Sequence, residues 1–392
     1  MRKWALLLVL ASCTSFGADP GAGPLVDAGA AVDAPSDGAP VDGAVLPDGA
    51  VLPGDAGTPP AACAAWVTVQ GGAVTCPGDG SARDLATDPQ NCGRCGLSCG
   101  SGGACEEGHC KDGDAVSGVR LLGAGPGGAI VYREGDRVLG TFLPGGAGEV
   151  FSPPIASGAS EPVSAIVRRG RTYVRTGDSV VPYPAVGSQV PYQVGPPTIA
   201  ATDAGLFVPG ANTLRRFPID TLVGSTDISV PGITEVAADE AEPVVIQASS
   251  GNAASLTKVG ALGALSMLVA DAGKAHSLVA HGREAFYVDG RALMRVSLDA
   301  GSPELLTVAP GDISADMGRP DVAVTATTVF FVVARENNNY EVWAVERGCA
   351  NPTPRRVAFA RNLAGIAANE GYLFYVANTN TVRSQRIASK SP

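Results

Sequence analysis

The chain has 392 residues, 51 of them Gly and 30 Pro, with only 17% charged and 5% aromatic residues. So much Gly and Pro with so little charge excludes a coiled coil. A formal net charge of −10 and only three His argue against nucleic acid, against direct binding to an anionic membrane surface, and against a His-rich metal site. No metal and no cofactor is expected.

The N-terminus reads as an export signal. Arg2 and Lys3 precede an apolar run, Trp4–Ala11, far shorter than the roughly 20 residues a bilayer span takes. The sequence Leu10-Ala11-Ser12-Cys13 resembles the lipobox of bacterial lipoproteins. That resemblance implies a signal peptide over 1–12 and a mature N-terminus at Cys13, carrying a diacylglyceryl thioether and an amide-linked acyl chain. Two or more acyl chains anchor stably, at about 0.8 kcal/mol per buried methylene. Thr14 stands where Asp would favour retention at the inner membrane, so the family rule points to the outer membrane of a bacterial envelope. The alternative is an ordinary signal peptide with Cys13 incidental.

Residues 13–62 read as a tether. Between Thr14 and Ala62 there is no Lys or Arg, and seven Asp are scattered through Ala, Gly, Pro and Val. Such a stretch cannot bury enough apolar surface to offset its ordering entropy, so the composition predicts a disordered linker. Calcium binding would need D-x-D-x-D-G loop spacing, which the Asp series lacks.

A cysteine module follows over 63–114. Cys63, Cys76, Cys92, Cys95, Cys99, Cys105 and Cys110 are dense enough in an exported chain to read as a disulfide staple replacing a core. The run from Cys76 to Cys110, with its core DPQNCGRCGLSC, resembles the small Cys-rich unit of the stigma-specific secreted family of plants, which carries no implied activity. Cys92-Gly-Arg-Cys95 lacks the strand and helix of a thioredoxin site, and an oxidising compartment favours disulfides over zinc. Gly96-Leu97-Ser98-Cys99-Gly100 matches G-x-S-x-G in letters only, because a nucleophile elbow needs a buried strand before the Ser and a helix after it. The resemblance implies that the six Cys from Cys76 to Cys110 pair among themselves, which, with Cys13 acylated, leaves Cys63 and Cys349. A free thiol persists poorly in an oxidising envelope, so a Cys63–Cys349 disulfide is expected; the rival reading has both free, or Cys349 bonded to a second molecule.

Residues 115–392 contain a repeat near 40 residues. Its aliphatic-aromatic strands are AIVYREGDR, RTYVRTGDS, LFVPGANT, PVVIQASSGN, AFYVDGRA, VFFVVARENNN and LFYVANTNT. Landmarks Tyr132, Tyr173, Phe207, Val245, Tyr287, Phe331 and Tyr375 recur every 34 to 44 residues. A strand with small residues precedes each, as in TIAATDAG and GIAANEGY, and a third follows a Gly, Asn or Asp turn, as in ALMRVSLD. Small residues suit strands crowded around an axis, and no segment shows a helical period. The pattern predicts an all-β fold, a seven-bladed β-propeller with six blades as the alternative. AFYVDGRALMRVSLDAG is similar to propellers with an L/V-x-R-x-x-L/I-D third strand, which implies fold and no ligand. The last repeat runs out of chain before a fourth strand. Either that blade is short or residues ahead of Val119 complete it, although Glu106–Asp114 makes a poor strand.

Few residues suggest chemistry. No P-loop, H-E-x-x-H or dinucleotide fingerprint occurs. His276 and His281 read as surface residues, and Arg168, Arg169 and Arg171 as a solvated hairpin. Propeller geometry places hairpins between second and third strands on one rim, carrying Arg133, Asp136, Asp178, Asn212, Asn252 and Asp289. Arg291, Asn337, Asn338, Asn339, Asn378 and Asn380 complete that candidate binding rim. Such side chains hydrogen-bond sugars or peptide backbone, yet hairpin turns also require them locally. The preferred reading is a non-catalytic binding or scaffold propeller on a lipid anchor, its partners the membrane and a glycan or protein. The rivals are an envelope hydrolase or lyase acting on glycans, which two channel-facing carboxylates would favour, and a purely structural surface protein.

Overall fold

The computed structural model describes residues 73–76, 80–91, 104–106, 109–110, 115–126, 128–134, 138–142, 149–151, 161–177, 179–183, 190–191, 195–238, 242–248, 253–260, 262–314, 321–349, 352–377 and 380–387. The chain divides into two units, Met1–Asp55 and Ala56–Pro392, and every described residue belongs to the second. Cys13, the 13–62 tether, Cys63, Cys92, Cys95 and Cys99 therefore lie outside the described residues. In the cysteine-rich region two short hairpins are described, Ala73–Thr75 with Ala82–Asp84 and Cys105–Glu106 with His109–Cys110.

From residue 115 onward the chain forms seven four-stranded antiparallel sheets. Blade 1 covers 120–151, blade 2 162–191, blade 3 200–229, blade 4 233–269, blade 5 276–308 and blade 6 322–361. Blade 7 combines three strands from 366–386 with Ala115–Ser117 as its outer strand. The innermost strand of each blade packs against that of the next, and that of blade 7 against that of blade 1. The fold is a seven-bladed β-propeller. The last blade is completed from ahead of Val119 by three residues, lying beyond the poor segment Glu106–Asp114.

Each landmark lies on its blade's second strand and is buried. The core is divided among the blade interfaces instead of forming one interior. Tyr132 packs between blades 1 and 2, Tyr173 between 2 and 3, and Phe207 and Val245 between 3 and 4. Tyr287, Phe331 and Tyr375 fill the next three interfaces. Phe142 of blade 1 meets Phe374 of blade 7 edge-on, with centroids 6.2 Å apart. The axis requires the small residues read from the sequence. A Cβ on Gly123 of blade 1 would sit 2.3 Å from the Ala165 carbonyl oxygen of blade 2.

Ion pairs also join neighbouring blades. Arg347 of blade 6 donates to Glu284 Oε2 at 2.7 Å and to the His281 carbonyl at 2.6 Å, both in blade 5. Its guanidinium also lies 5.3 Å from the Phe286 ring centroid. The Arg168–Arg171 hairpin of blade 2 reaches blade 3, through Arg168 to Asp203 at 2.9 Å and Arg169 to Asp220 at 3.3 Å.

Candidate functional site

Antiparallel order places the hairpins between second and third strands on the same face as the connections between blades. On this hairpin face, a hollow of about 840 Å³ opens between blades 5 and 6. Its walls come from four segments. Arg291 stands in the hairpin joining Glu284–Asp289 to Ala292–Ser297, after Gly290 at φ +61°. Its Nη2 donates to the Ala309 carbonyl at 2.8 Å, and the Ala309 N–H donates back to the Arg291 carbonyl at 2.8 Å. That exchange fixes the hairpin to the end of its own outer strand.

The floor is the connection from blade 5 to blade 6. Ile313 bridges to Val333, and the Ala334 N–H donates to the Asp312 carbonyl at 2.9 Å. The far wall is the blade 6 hairpin, a 3₁₀ turn over Glu336–Asn338 in which Asn337 and Asn338 have φ of +59° and +56°. Asn tolerates this left-handed conformation better than most residues. Arg335 reaches in from the same hairpin. Its Nε donates to Glu341 Oε2 at 2.8 Å and its Nη1 to the Pro310 carbonyl at 3.4 Å.

Glu341 anchors this wall. It also accepts from Trp343 Nε1 at 3.0 Å and Arg356 Nη1 at 3.0 Å. Burial pushes its pKa up, but the hydrogen bonds from Arg335, Trp343 and Arg356 outweigh burial and leave it below the ordinary Glu value. Beside Glu341, its cross-strand partner Phe359 on the outer strand Arg355–Arg361 also lines the hollow, with 57% of its surface exposed.

Of the rim residues expected from the sequence, Arg291, Asn337 and Asn339 share this hollow. Asn338 is on the same turn but uses its carbonyl to accept from the Asn362 N–H at 2.8 Å. Others hold the ring together. Asn212 Oδ1 accepts from the Gly232 N–H at 3.4 Å, joining blade 3 to blade 4. Asp289 accepts from the Lys274 N–H at 3.1 Å, and the Asn380 carbonyl from the Val119 N–H at 3.2 Å. Arg133 is half-buried at the end of its strand. Asp136, Asp178, Asn252 and Asn378 lie outside the described residues.

A second cavity is the central channel, about 330 Å³, lined by the inner strands of six blades and, for blade 3, by Pro197–Ile199 just ahead of its inner strand. Two carboxylates line it, Glu235 of blade 4 and Asp321 ahead of the blade 6 inner strand. His276, read from sequence as a surface residue, is half-buried and lines it too. It begins the inner strand of blade 5, so its side chain meets the axis instead of the outer surface. Glu235 Oε1 accepts from the Ser277 N–H at 2.8 Å and Oε2 from the Leu278 N–H at 2.6 Å. Burial raises its pKa, and those two N–H groups oppose the rise. Burial also lowers the His276 pKa, against the opposing charge of Asp289. Among the described residues no group of three or more His, Cys, Asp or Glu could hold a metal.

Sequence reasoning missed Phe359, Arg335, Glu235 and Asp321. In RRVAFAR strict alternation would put Phe359 on the buried face with Val357. A bulge opposite Val342 and Trp343 breaks the alternation and leaves Phe359 exposed. Glu235 had a usable signal, since it sits among the small residues of the first strand of its repeat, and Asp321 stands directly ahead of such a strand.

No family model matches the sequence, and no curated protein matches it either. Solved structures do. Virginiamycin B lyase from Staphylococcus aureus aligns with a TM-score of 0.52 at 8% identity, covering 70% of this chain and 99% of that one. At so low an identity the likeness shows the propeller fold alone. BamB from Moraxella catarrhalis aligns with a TM-score of 0.45 at 9% identity, covering 71% of this chain and 99% of that one.

Proposed function

We propose that this is a lipid-anchored protein of the bacterial cell envelope, at the outer membrane, whose propeller is a non-catalytic binding domain. Its ligand is a glycan, held in the hollow between blades 5 and 6. The observation that carries this reading is that the exposed Phe359 ring lines the same hollow as Arg291, Arg335, Asn337 and Asn339. An aromatic face suits the apolar side of a sugar ring, while planar amide and guanidinium groups match pairs of hydroxyls. The lipobox at Cys13 supports the anchor. The topology suits it as well, because the chain reaches the ring at Ala115, the end of its strand away from the hairpin face. The rim is then left open to a ligand.

A non-catalytic role is supported by what the buried carboxylates already do. Glu235 has each oxygen on a backbone N–H, and Glu341 holds three side chains. One observation favours the envelope hydrolase or lyase instead, namely that Glu235 and Asp321 both line the channel. A glycan and peptide array screen with the detergent-solubilised full chain tests the proposal. Retention of a glycan unchanged supports it, a peptide hit moves the ligand to protein, and turnover of a bound glycan would replace it with the enzyme reading.

Cys349 belongs to the same proposal. It is buried in the turn between the third and fourth strands of blade 6, on the face where the chain joins neighbouring blade 7. A bond to Cys63 would pin the Cys-rich unit, of the stigma-specific type, beneath the ring.

A further inference from the structure

We infer that the propeller itself touches the bilayer, through apolar turn tips of blades 3 and 4 on the face opposite the hairpins. The inference rests on the lipid anchor proposed at Cys13. Eight large apolar side chains are exposed among the described residues, and four of them, Val223, Leu262, Leu265 and Met267, belong to these two adjacent blades. Val223 and Leu262 stand in the turns between third and fourth strands, 70% and 100% exposed, and Leu265 opens the outer strand after its turn. Turn tips are ordinarily polar or Gly, as in the equivalent Asp299-Ala300-Gly301-Ser302 turn of blade 5. Both tips hold their side chains outward. Leu222 takes φ +53° and is buried between blades 2 and 3, so Val223 projects, its N–H donating to Thr221 Oγ1 at 3.3 Å. In blade 4 the Gly263 N–H donates to the Gly260 carbonyl at 2.9 Å, and the Gly260 N–H to the Ala264 carbonyl at 2.8 Å. Tips fixed in this way lose little freedom on binding.

Shape and charge select a bilayer of zwitterionic lipid. A fluid surface admits projecting tips without a matching socket, which a protein partner would have to supply. The cations described around the tips are paired, Arg169 with Asp220 at 3.3 Å, Lys258 with Glu242 at 3.1 Å and Arg283 with Asp299. The connection from Ala238 to Pro243 adds Asp239 and Glu240, so attraction comes from burying apolar groups at the headgroup boundary and anionic lipid adds nothing. The chain enters the ring at Ala115 on this same face, in blade 7, across the ring from blades 3 and 4. Cys349 lies in blade 6, so a Cys-rich unit pinned there leaves the tips clear. The anchor keeps the ring beside the bilayer, where a contact too weak to form from solution is populated. A tether alone lets the ring pivot. The tips give it a second point of support and turn the hairpin face, with its hollow, away from lipid.

Tryptophan fluorescence of the acylated full chain on phosphatidylcholine vesicles, with and without brominated acyl chains, tests the inference. Leu262→Trp should lose about half or more of its added emission to the brominated lipid. Val308→Trp, exposed at the hairpin-face end of the outer strand of blade 5, should lose none. Adding Val223→Asp to Leu262→Trp should remove the quenching with an unchanged unfolding midpoint, because both side chains are exposed. Equal quenching at both positions, quenching that requires phosphatidylglycerol, or none on vesicles that retain the chain would overturn the inference and leave the anchor standing. A dimer in detergent that Val223→Asp returns to monomer would assign the tips to a second copy and overturn it as well. Failure of the chain to stay on vesicles removes the anchor, and the inference with it.

Discussion

Ser117 and Thr381, 264 residues apart in sequence, meet with hydroxyl oxygens 3.2 Å apart where the ring closes. Beside them Val116 pairs with Val382, and both are buried between blades 7 and 1. Strands from opposite ends of the propeller thus share one sheet, so blade 7 depends on three residues at the start of the domain. Val116→Asp places an unpaired charge in that interface and should cost about 3 kcal/mol. Thermal unfolding followed by circular dichroism reads this as a lowered midpoint, and an unchanged midpoint would mean that the closure adds no stability.

Arg347 makes a comparable bond between blades 5 and 6. Its side chain is 10% exposed and that of its partner Glu284 27%. Arg347→Met keeps much of the packing on Phe286 but leaves Glu284 without this cation, which should cost about 2–4 kcal/mol. Denaturant titration measures it, and a loss below about 0.5 kcal/mol would place the pair among surface bridges of little consequence.

Glu341 sets an acid limit on the hollow. Its pKa is lowered in the folded chain from a reference of 4.5. Its contribution is therefore present above that reference and is lost as pH falls through the lowered folded value. Glu341→Gln should cost about 1–3 kcal/mol at neutral pH, discounted because Arg335 and Arg356 are partly exposed. The variant's stability should also fall less steeply than the parent's between about pH 5 and 3. Parallel acid limbs would show that Glu341 does not carry this dependence.

Most of the propeller is legible in the sequence because its signal repeats. The seven landmarks mark seven second strands, and each turn after them keeps a Gly, Asn or Asp. The closing strand was legible only as one of two alternatives, since three residues with one buried side chain, Val116, make no pattern. The hollow was half legible. Turn chemistry names Arg291, Asn337 and Asn339, but a bulge hides Phe359, and only the ring shows that blades 5 and 6 bring them together. Asn212, Asp289 and Asn380 illustrate the opposite outcome, where the same chemistry serves the fold.

The cysteine proposal has its own readout. Non-reducing peptide mapping should recover Cys63 linked to Cys349, closing a loop worth about 5 kcal/mol at most in the chain-entropy model. Cys63 linked to any other residue refutes it. Mass spectrometry of the mature N-terminus should find acylated Cys13, and a soluble form starting elsewhere would remove the lipid anchor.

The central claim is that the hollow between blades 5 and 6 is the binding site, and Phe359 tests it most directly. Affinity for the glycan selected on the array should be measured for the parent chain, Phe359→Ala and Asn339→Ala, with unfolding midpoints alongside. The account predicts that Phe359→Ala loses at least about tenfold in affinity, near 1.4 kcal/mol, with its midpoint preserved because the ring is exposed. Unchanged affinity in both variants would contradict it.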